Sequence, residues 1–118
     1  MHQGEIDLIN LDPVFKTEIG KTRPGLILSL DAMNQYSPRL IIVPITSAIG
    51  KLYPFEIFLK AGIGGLENDS KMMLDQIRSL DKQRLIKKLG SVDKALLVEA
   101  STIAQKINCS KIKTEIGN

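Results

Sequence analysis

Arg23 and Thr46 are the two residues of this chain whose types and settings suit the gripping of a phosphate. Arg23 lies in Glu18-Ile19-Gly20-Lys21-Thr22-Arg23-Pro24, between apolar runs at 6–11 and 25–30. The stretch therefore reads as a loop entering a strand. Gly20 lets the backbone turn or lie close to a ligand. Pro24 biases Arg23 to an extended conformation and fixes where the strand begins. A guanidinium at such a stiff mouth can hold a phosphate bidentately and cannot lose its charge. Glu18, upstream on the same loop, could return to it. A solvated loop with a surface Glu–Arg pair explains these seven residues more simply. Thr46-Ser47 follow the aliphatic run 40–45. In a small barrel the ends of non-adjacent strands converge on one rim. The charge of Arg23 and the hydroxyl of Thr46 would there clamp one phosphate. Thr46 and Ser47 could equally cap the next turn, the commoner fate of such a pair. Pattern alone leaves both readings open.

Asp75-Gln76 interrupt the run 71–74, and a carboxylate beside an amide suits the reading of base edges. A polar outward face at a strand end is the alternative. Arg78, Lys82, Arg84, Lys87 and Lys88 form the densest basic region, either a track for a nucleic-acid backbone or a solvated face. The aromatics amount to 4% with no Trp. Base stacking thus has few candidates: Phe15, Tyr36, Tyr53, Phe55 and Phe58, of which Phe55 and Phe58 are expected in the core.

His2 and Cys109 are the only histidine and cysteine among 118 residues. This excludes an internal disulfide, a Cys/His zinc cluster and a nucleophile–base pair built on His or Cys. No phosphate-cradling Gly-x-x-x-x-Gly-Lys-Ser/Thr motif occurs either. A net charge of +3 permits a polyanionic partner without demanding one. No apolar run approaches membrane-spanning length and the N-terminus lacks the regions of a signal peptide, so a soluble cytoplasmic protein is expected.

The elements that must position these groups follow from periodicity. Strands are expected at 5–11, 25–30, 40–45, 55–59 and 70–77, and at 85–89 after a short helical turn capped by Asp81. Pro44 implies an edge strand or a bulge. Residues 14–22, 31–38 and 48–54 read as loops and 61–66 as a turn. Residues 91–107 form the one convincing helix, with Ser91 as N-cap and Leu96, Ala100, Ile103 and Ile107 on its apolar face. Residues 108–118 read as a tail. The length suits one domain, 1–118. Short strands with one C-terminal helix indicate a mainly β (α+β) fold, a small curled antiparallel sheet or barrel.

The ordered set of Gly4-Glu5-Ile6, Leu11-Asp12-Pro13, Glu18 to Pro24, Val43-Pro44-Ile45-Thr46-Ser47, Leu74-Asp75-Gln76-Ile77-Arg78, Asp81-Lys82-Gln83-Arg84-Leu85 and Lys88-Leu89-Gly90 resembles the MazF/PemK family of bacterial toxins. These are sequence-specific endoribonucleases, and the likeness covers about residues 4–107. It implies an SH3-like barrel of the CcdB/MazF/PemK type that forms a homodimer with RNA crossing the dimer surface. It implies metal-independent cleavage of single-stranded mRNA to 2′,3′-cyclic phosphate and 5′-hydroxyl ends, with no cofactor, as the toxin of a type II system. It also implies an antitoxin whose flexible, acidic C-terminal segment covers the RNA groove.

The family's catalytic Arg and Thr fall on Arg23 and Thr46, and its loop Glu falls on Glu18. Its RNA contacts fall on Phe15, Lys16, Gly20, Lys21, Ser47, Asp75, Gln76 and Arg78. The sequence departs from the family at Asp7, where an aromatic is usual, and at Met73, where one branch places a catalytic Arg. The loops at 14–22 and 48–54 would set the cleavage motif. A CcdB-like inhibitor of a protein target such as gyrase, or an inactive RNA-binding barrel, shares the architecture.

Overall fold

A computed structural model describes residues 1–12 and 21–115, with backbone alone from 108 onward. Phe15, Lys16, Glu18 and Gly20 lie outside the described residues, as does most of the loop expected at 14–22. The described residues form seven antiparallel strands: β1 (Glu5–Asn10), β2 (Thr22–Ile27), β3 (Arg39–Thr46), β4 (Glu56–Leu59), β5 (Ser70–Met73), β6 (Arg78–Asp81) and β7 (Leu85–Ser91). Two α-helices join them, α1 (Asp31–Tyr36) and α2 (Lys94–Glu115). The sheet runs β4-β5-β3-β2-β1-β7, with β6 also on β3.

Neighbouring residues of β1 face opposite sides, and each side has its own core. Ile6, Leu26, Val43, Ile45, Ile57, Leu59, Met72 and Leu74 pack on one side, against Ala100 and Ala104 of α2. Ile9, Leu11, Ile27, Leu40, Ile42 and Leu80 pack on the other. Burial on both faces is why β2 and β3 read as nearly continuous apolar runs. Each such side chain contributes about 1.5–3 kcal/mol when fully buried, so both layers hold β3 in place.

The expected barrel is curled rather than closed by hydrogen bonds, since the path of strands ends at β4 and β7. A glycine contact brings the ends together instead. A Cβ on Gly65 would stand 2.1 Å from the Leu89 carbonyl oxygen, and one on Gly90 would stand 2.5 Å from the Gly64 carbonyl carbon. Only bare backbone permits that approach.

Several sequence expectations are corrected. Residues 31–38 contain α1 rather than only loop: the Asn34 Nδ2 donates to the Ser29 carbonyl and the Ser29 hydroxyl donates to the Asn34 Oδ1. This pairing lets Asn34 be buried. β2 begins at Thr22, so Arg23 and Pro24 are inside the strand. β3 is central despite Pro44. Pro44 sits where the second edge of β3 passes from β6, last paired at Ile42, to β5, first paired at Ile45. A missing N–H disturbs the sheet least at such a break. The strand expected at 70–77 splits into β5, a one-turn helix at Leu74–Gln76 and β6. Phe58 is exposed and Phe55 half-buried, because Ile57 and Leu59 occupy the inward positions of β4.

Ser91 ends β7, and the helix is capped by Asp93, whose Oδ1 accepts from the Leu96 N–H at 2.8 Å. α2 continues through the expected tail to Glu115. The apolar face of α2 is as read: Ala100 is buried, with Leu96, Ile103 and Ile107 packed beside it. Asp81 does cap the turn Lys82–Arg84, accepting from the Gln83 N–H at 2.9 Å.

Asp7 is a cost to this fold. It is 5% exposed, faces Gly25 across β2, and its Oδ1 lacks a hydrogen-bond partner. Burial, and then the charge of Glu5, push its pKa up, against the opposing pull of the N-terminus and Lys88. The folded state therefore holds this proton to higher pH than the unfolded chain does. Stability is lost as pH rises from the unfolded value through the folded one, and the loss persists above both. Asp7→Asn is expected to stabilise the protein by about 1 kcal/mol at pH 7. The gain should disappear below the unfolded pKa of Asp, near pH 3. Thermal melts of both proteins at the two pH values check this, and an equal gain at both would contradict the assignment to charge burial.

Candidate functional site

β3 is the axis of the site. Its register with β2 runs Ile27↔Ile42, Leu26↔Val43, Gly25↔Pro44. Arg23 and Thr46 each lie two residues beyond the last of these pairs. On its other edge β3 pairs Thr46 with Lys71 of β5 and Ile42 with Arg78 of β6. Residues directly opposite in an antiparallel pair share a face, with Cβ atoms about 5 Å apart. Thr46 and Lys71 therefore share a face of the sheet, and alternation along β3 puts Ile42 and Arg78 on that face too. The one-turn helix Leu74–Gln76 bridges β5 and β6 beside the stretch of β3 that neither strand pairs. It carries Asp75 exposed and Gln76 half-buried, and Gln76 Nε2 lies 3.6 Å from the Met73 sulfur.

The β2–β3 ladder stops at Gly25↔Pro44, next to two prolines that supply no N–H. Past that point the strand ends border a cleft of about 320 Å³. Thr22, Arg23, Pro24, Ile45 and Ser47 line it from the strands, facing Glu67 and Asn68. By strand alternation Ile45 and Ser47 face this cleft while Thr46 faces the opposite side. Arg23 thus borders the cleft together with Ser47.

Thr46 is 5% exposed, and its Oγ1 accepts from the Ala48 N–H at 3.1 Å. This is the turn-capping role allowed by the sequence. It does not exclude the other role, since a hydroxyl that accepts one hydrogen bond still has a proton to donate. The cap fixes the oxygen and leaves the O–H as the chemically available part.

The loop that carries Glu18 is pinched at its base. The Lys21 N–H donates to Asp12 Oδ1 at 2.6 Å and the Leu11 N–H donates to the Lys21 carbonyl at 2.8 Å. Lys21 takes a left-handed φ of 63° there, a conformation uncommon outside glycine. Arg78 donates to the Leu11 carbonyl at 2.6 Å, and Arg84 donates to the carbonyls of Asn10 and Asp12. Two members of the basic region therefore anchor the loop base rather than form a free track. With Arg39 they line a second hollow of about 240 Å³.

Sequence reasoning passed over Lys71 and Glu56. Lys71 Nζ lies 2.9 Å from Glu56 Oε1 and donates to the Lys51 carbonyl at 3.1 Å. The signal was a lysine at an alternating position inside an apolar strand. Among the described residues no three His, Cys, Asp or Glu side chains gather as metal ligands would. The strand ends offer a cation at Arg23 and an anchored hydroxyl at Thr46, and the turn between β5 and β6 carries a carboxylate–amide pair. Such a set can hold a phosphodiester and an adjoining base.

Residues 2–113 match the family described as PemK-like, MazF-like toxin of type II toxin-antitoxin system. The chain is 38% identical over 104 residues to Endoribonuclease MazF9 of Mycobacterium tuberculosis, covering 84% of this chain and 88% of that protein. It is 36% identical over 96 residues to Endoribonuclease EndoA of Bacillus subtilis, covering 80% and 83%. Among solved structures, MazF from Deinococcus radiodurans superposes with a TM-score of 0.80 at 30% identity, covering 91% of this chain and 94% of that one. A MazE–MazF structure from the same organism gives 0.72 at 27% identity, covering 91% and 93%.

Proposed function

The chain belongs to the PemK-like, MazF-like toxins of type II toxin–antitoxin systems, and from that premise we propose that it is an endoribonuclease cutting single-stranded mRNA. The carrying observation is that Arg23 and Ser47 line one cleft beyond the last β2–β3 pair, with Thr46 adjoining Ser47 at the end of β3. In this reading the RNA supplies its own nucleophile. Its 2′-oxygen attacks the adjacent phosphorus, the P–O5′ bond breaks, and the products carry a 2′,3′-cyclic phosphate and a 5′-hydroxyl. The protein positions the 2′-oxygen in line and stabilises charge on the phosphorane. Arg23 and the Thr46 O–H serve the non-bridging oxygens, and Arg23 steadies the departing 5′-oxygen until it is protonated. Glu18 is assigned the proton of the 2′-hydroxyl. Asp75, Gln76 and Ser47 contact neighbouring nucleotides, with Phe15, Lys16, Gly20 and Lys21 along the RNA, and Arg78 supports that loop through the Leu11 carbonyl.

A homodimer and an antitoxin with an acidic flexible segment complete the proposal. Support for the antitoxin comes from the MazE–MazF relative and from a net charge of +3. Support for the activity comes from relatives named endoribonucleases. Incubating the purified protein with a long unstructured RNA, with and without EDTA, tests it. Discrete fragments in both tubes are expected. Intact RNA would overturn the enzymatic reading in favour of an inhibitor or an inactive binder.

A further inference from the structure

We propose that Tyr53, held by the buried Lys71–Glu56 pair, is a stacking platform for an unpaired base flanking the cleaved phosphodiester, and that Lys71 is its positioning residue. The inference rests on the RNA-cleaving reading above.

Lys71 is the strand partner of Thr46, on the same face of the sheet. Its side chain is only 10% exposed and that of Glu56 only 6%. A buried ion pair costs desolvation, and its attraction seldom yields net stability, so its value here is geometric. Lys71 Nζ ties the Lys51 carbonyl to Glu56 Oε1. The same Glu56 oxygen accepts from the Tyr53 N–H at 3.0 Å, and the Glu56 N–H donates to the Tyr53 carbonyl at 2.9 Å. The connection from β3 to β4 is thereby strapped down at Lys51 and at Tyr53.

What the strap presents is aromatic. The Tyr53 ring lies parallel to Phe55, with centroids 5.4 Å apart and planes 5° apart. Tyr53 is nevertheless 43% exposed, and Phe58, the strand partner of Lys71, is 45% exposed. Lys51 Nζ stands over the Tyr53 ring at 5.2 Å from its centroid, and Lys71 Nζ stands over it at 6.0 Å. In a chain with two Tyr, three Phe and no Trp, three exposed or half-exposed rings in and just before β4 are an unusual use of apolar surface. A partly exposed ring with the exposed Lys51 over it suits a nucleobase that takes the place of that ammonium, since stacking tolerates any base and the displaced cation is left beside the attached phosphate. Lys71 is neutralised by Glu56, so it does not compete with Arg23 for the scissile phosphate.

The test begins by mapping the cut made by the wild-type protein. An oligonucleotide is then made with 2-aminopurine beside that bond and a 2′-deoxy nucleotide blocking cleavage. Wild-type protein and Tyr53→Phe should quench the fluorescence, and Tyr53→Leu should not. On a cleavable oligonucleotide Tyr53→Leu should raise KM about tenfold with kcat little changed, as expected for loss of one stacked base. Lys71→Met with Glu56→Gln removes both charges and avoids stranding one. It should weaken quenching while thermal melting shows a folded protein, and Lys71→Arg should restore part of it. Absence of cleavage by the wild type would sink the RNA-cleaving reading itself. Cleavage with no quenching, or with Tyr53→Leu matching wild type, would overturn this inference alone.

Discussion

Arg23→Ala is expected to lower RNA cleavage about a thousandfold while leaving the melting temperature nearly unchanged. Removing one preorganised donor from a developing oxyanion costs roughly 10²–10³ in rate, and Arg23 brings a full charge as well as donors. The fold should tolerate the change because Arg23 is half-exposed near the beginning of β2, whereas the buried part of that strand is Gly25, Leu26 and Ile27. Arg23→Lys should recover little of the rate. An ammonium keeps the charge and loses the planar fork that spans two phosphate oxygens. Single-turnover cleavage of a mapped oligonucleotide, alongside thermal melting, measures both effects. A folded Arg23→Ala protein with wild-type activity would remove Arg23 from the chemistry.

The second large effect lies in the substrate. A single 2′-deoxy nucleotide on the 5′ side of the cut bond is expected to stop cleavage there completely, with binding largely retained. The protein presents no His or Cys nucleophile–base pair in its sequence, so the attacking oxygen is assigned to the RNA. An enzyme that activates water would cut the substituted bond at a comparable rate. Following the substituted and parent oligonucleotides under identical conditions separates the two cases. Cleavage of both at similar rates would exclude attack by the 2′-oxygen.

Much of this was legible in the sequence because it depended on local pattern. Alternation revealed the strands, and the spacing of Leu96, Ala100, Ile103 and Ile107 revealed the face of α2 that packs on the core. Arg23 and Thr46 were visible as polar groups at the edges of apolar runs. They were expected to meet from non-adjacent strands, whereas β2 and β3 are paired neighbours, a pairing that local pattern does not encode. The same applies to Lys71, whose partner Glu56 is fifteen positions away and on another strand. Pro44 misled for a tertiary reason, since a proline is tolerated centrally where the neighbouring strand changes from β6 to β5. Phe58 misled because hydrophobicity was read without phase: Ile57 and Leu59 already occupy the inward side of β4. Asn34 was read as loop because its burial depends on one mutual pair with Ser29.

The most direct measurement is the chemistry of the RNA ends. Products of a complete digestion in EDTA, resolved by mass spectrometry, should carry a 2′,3′-cyclic phosphate on every upstream fragment and a 5′-hydroxyl on every downstream one. Fragments ending in a 3′-hydroxyl and beginning with a 5′-phosphate would contradict a reaction in which Arg23 and Thr46 stabilise attack by the RNA's own 2′-oxygen.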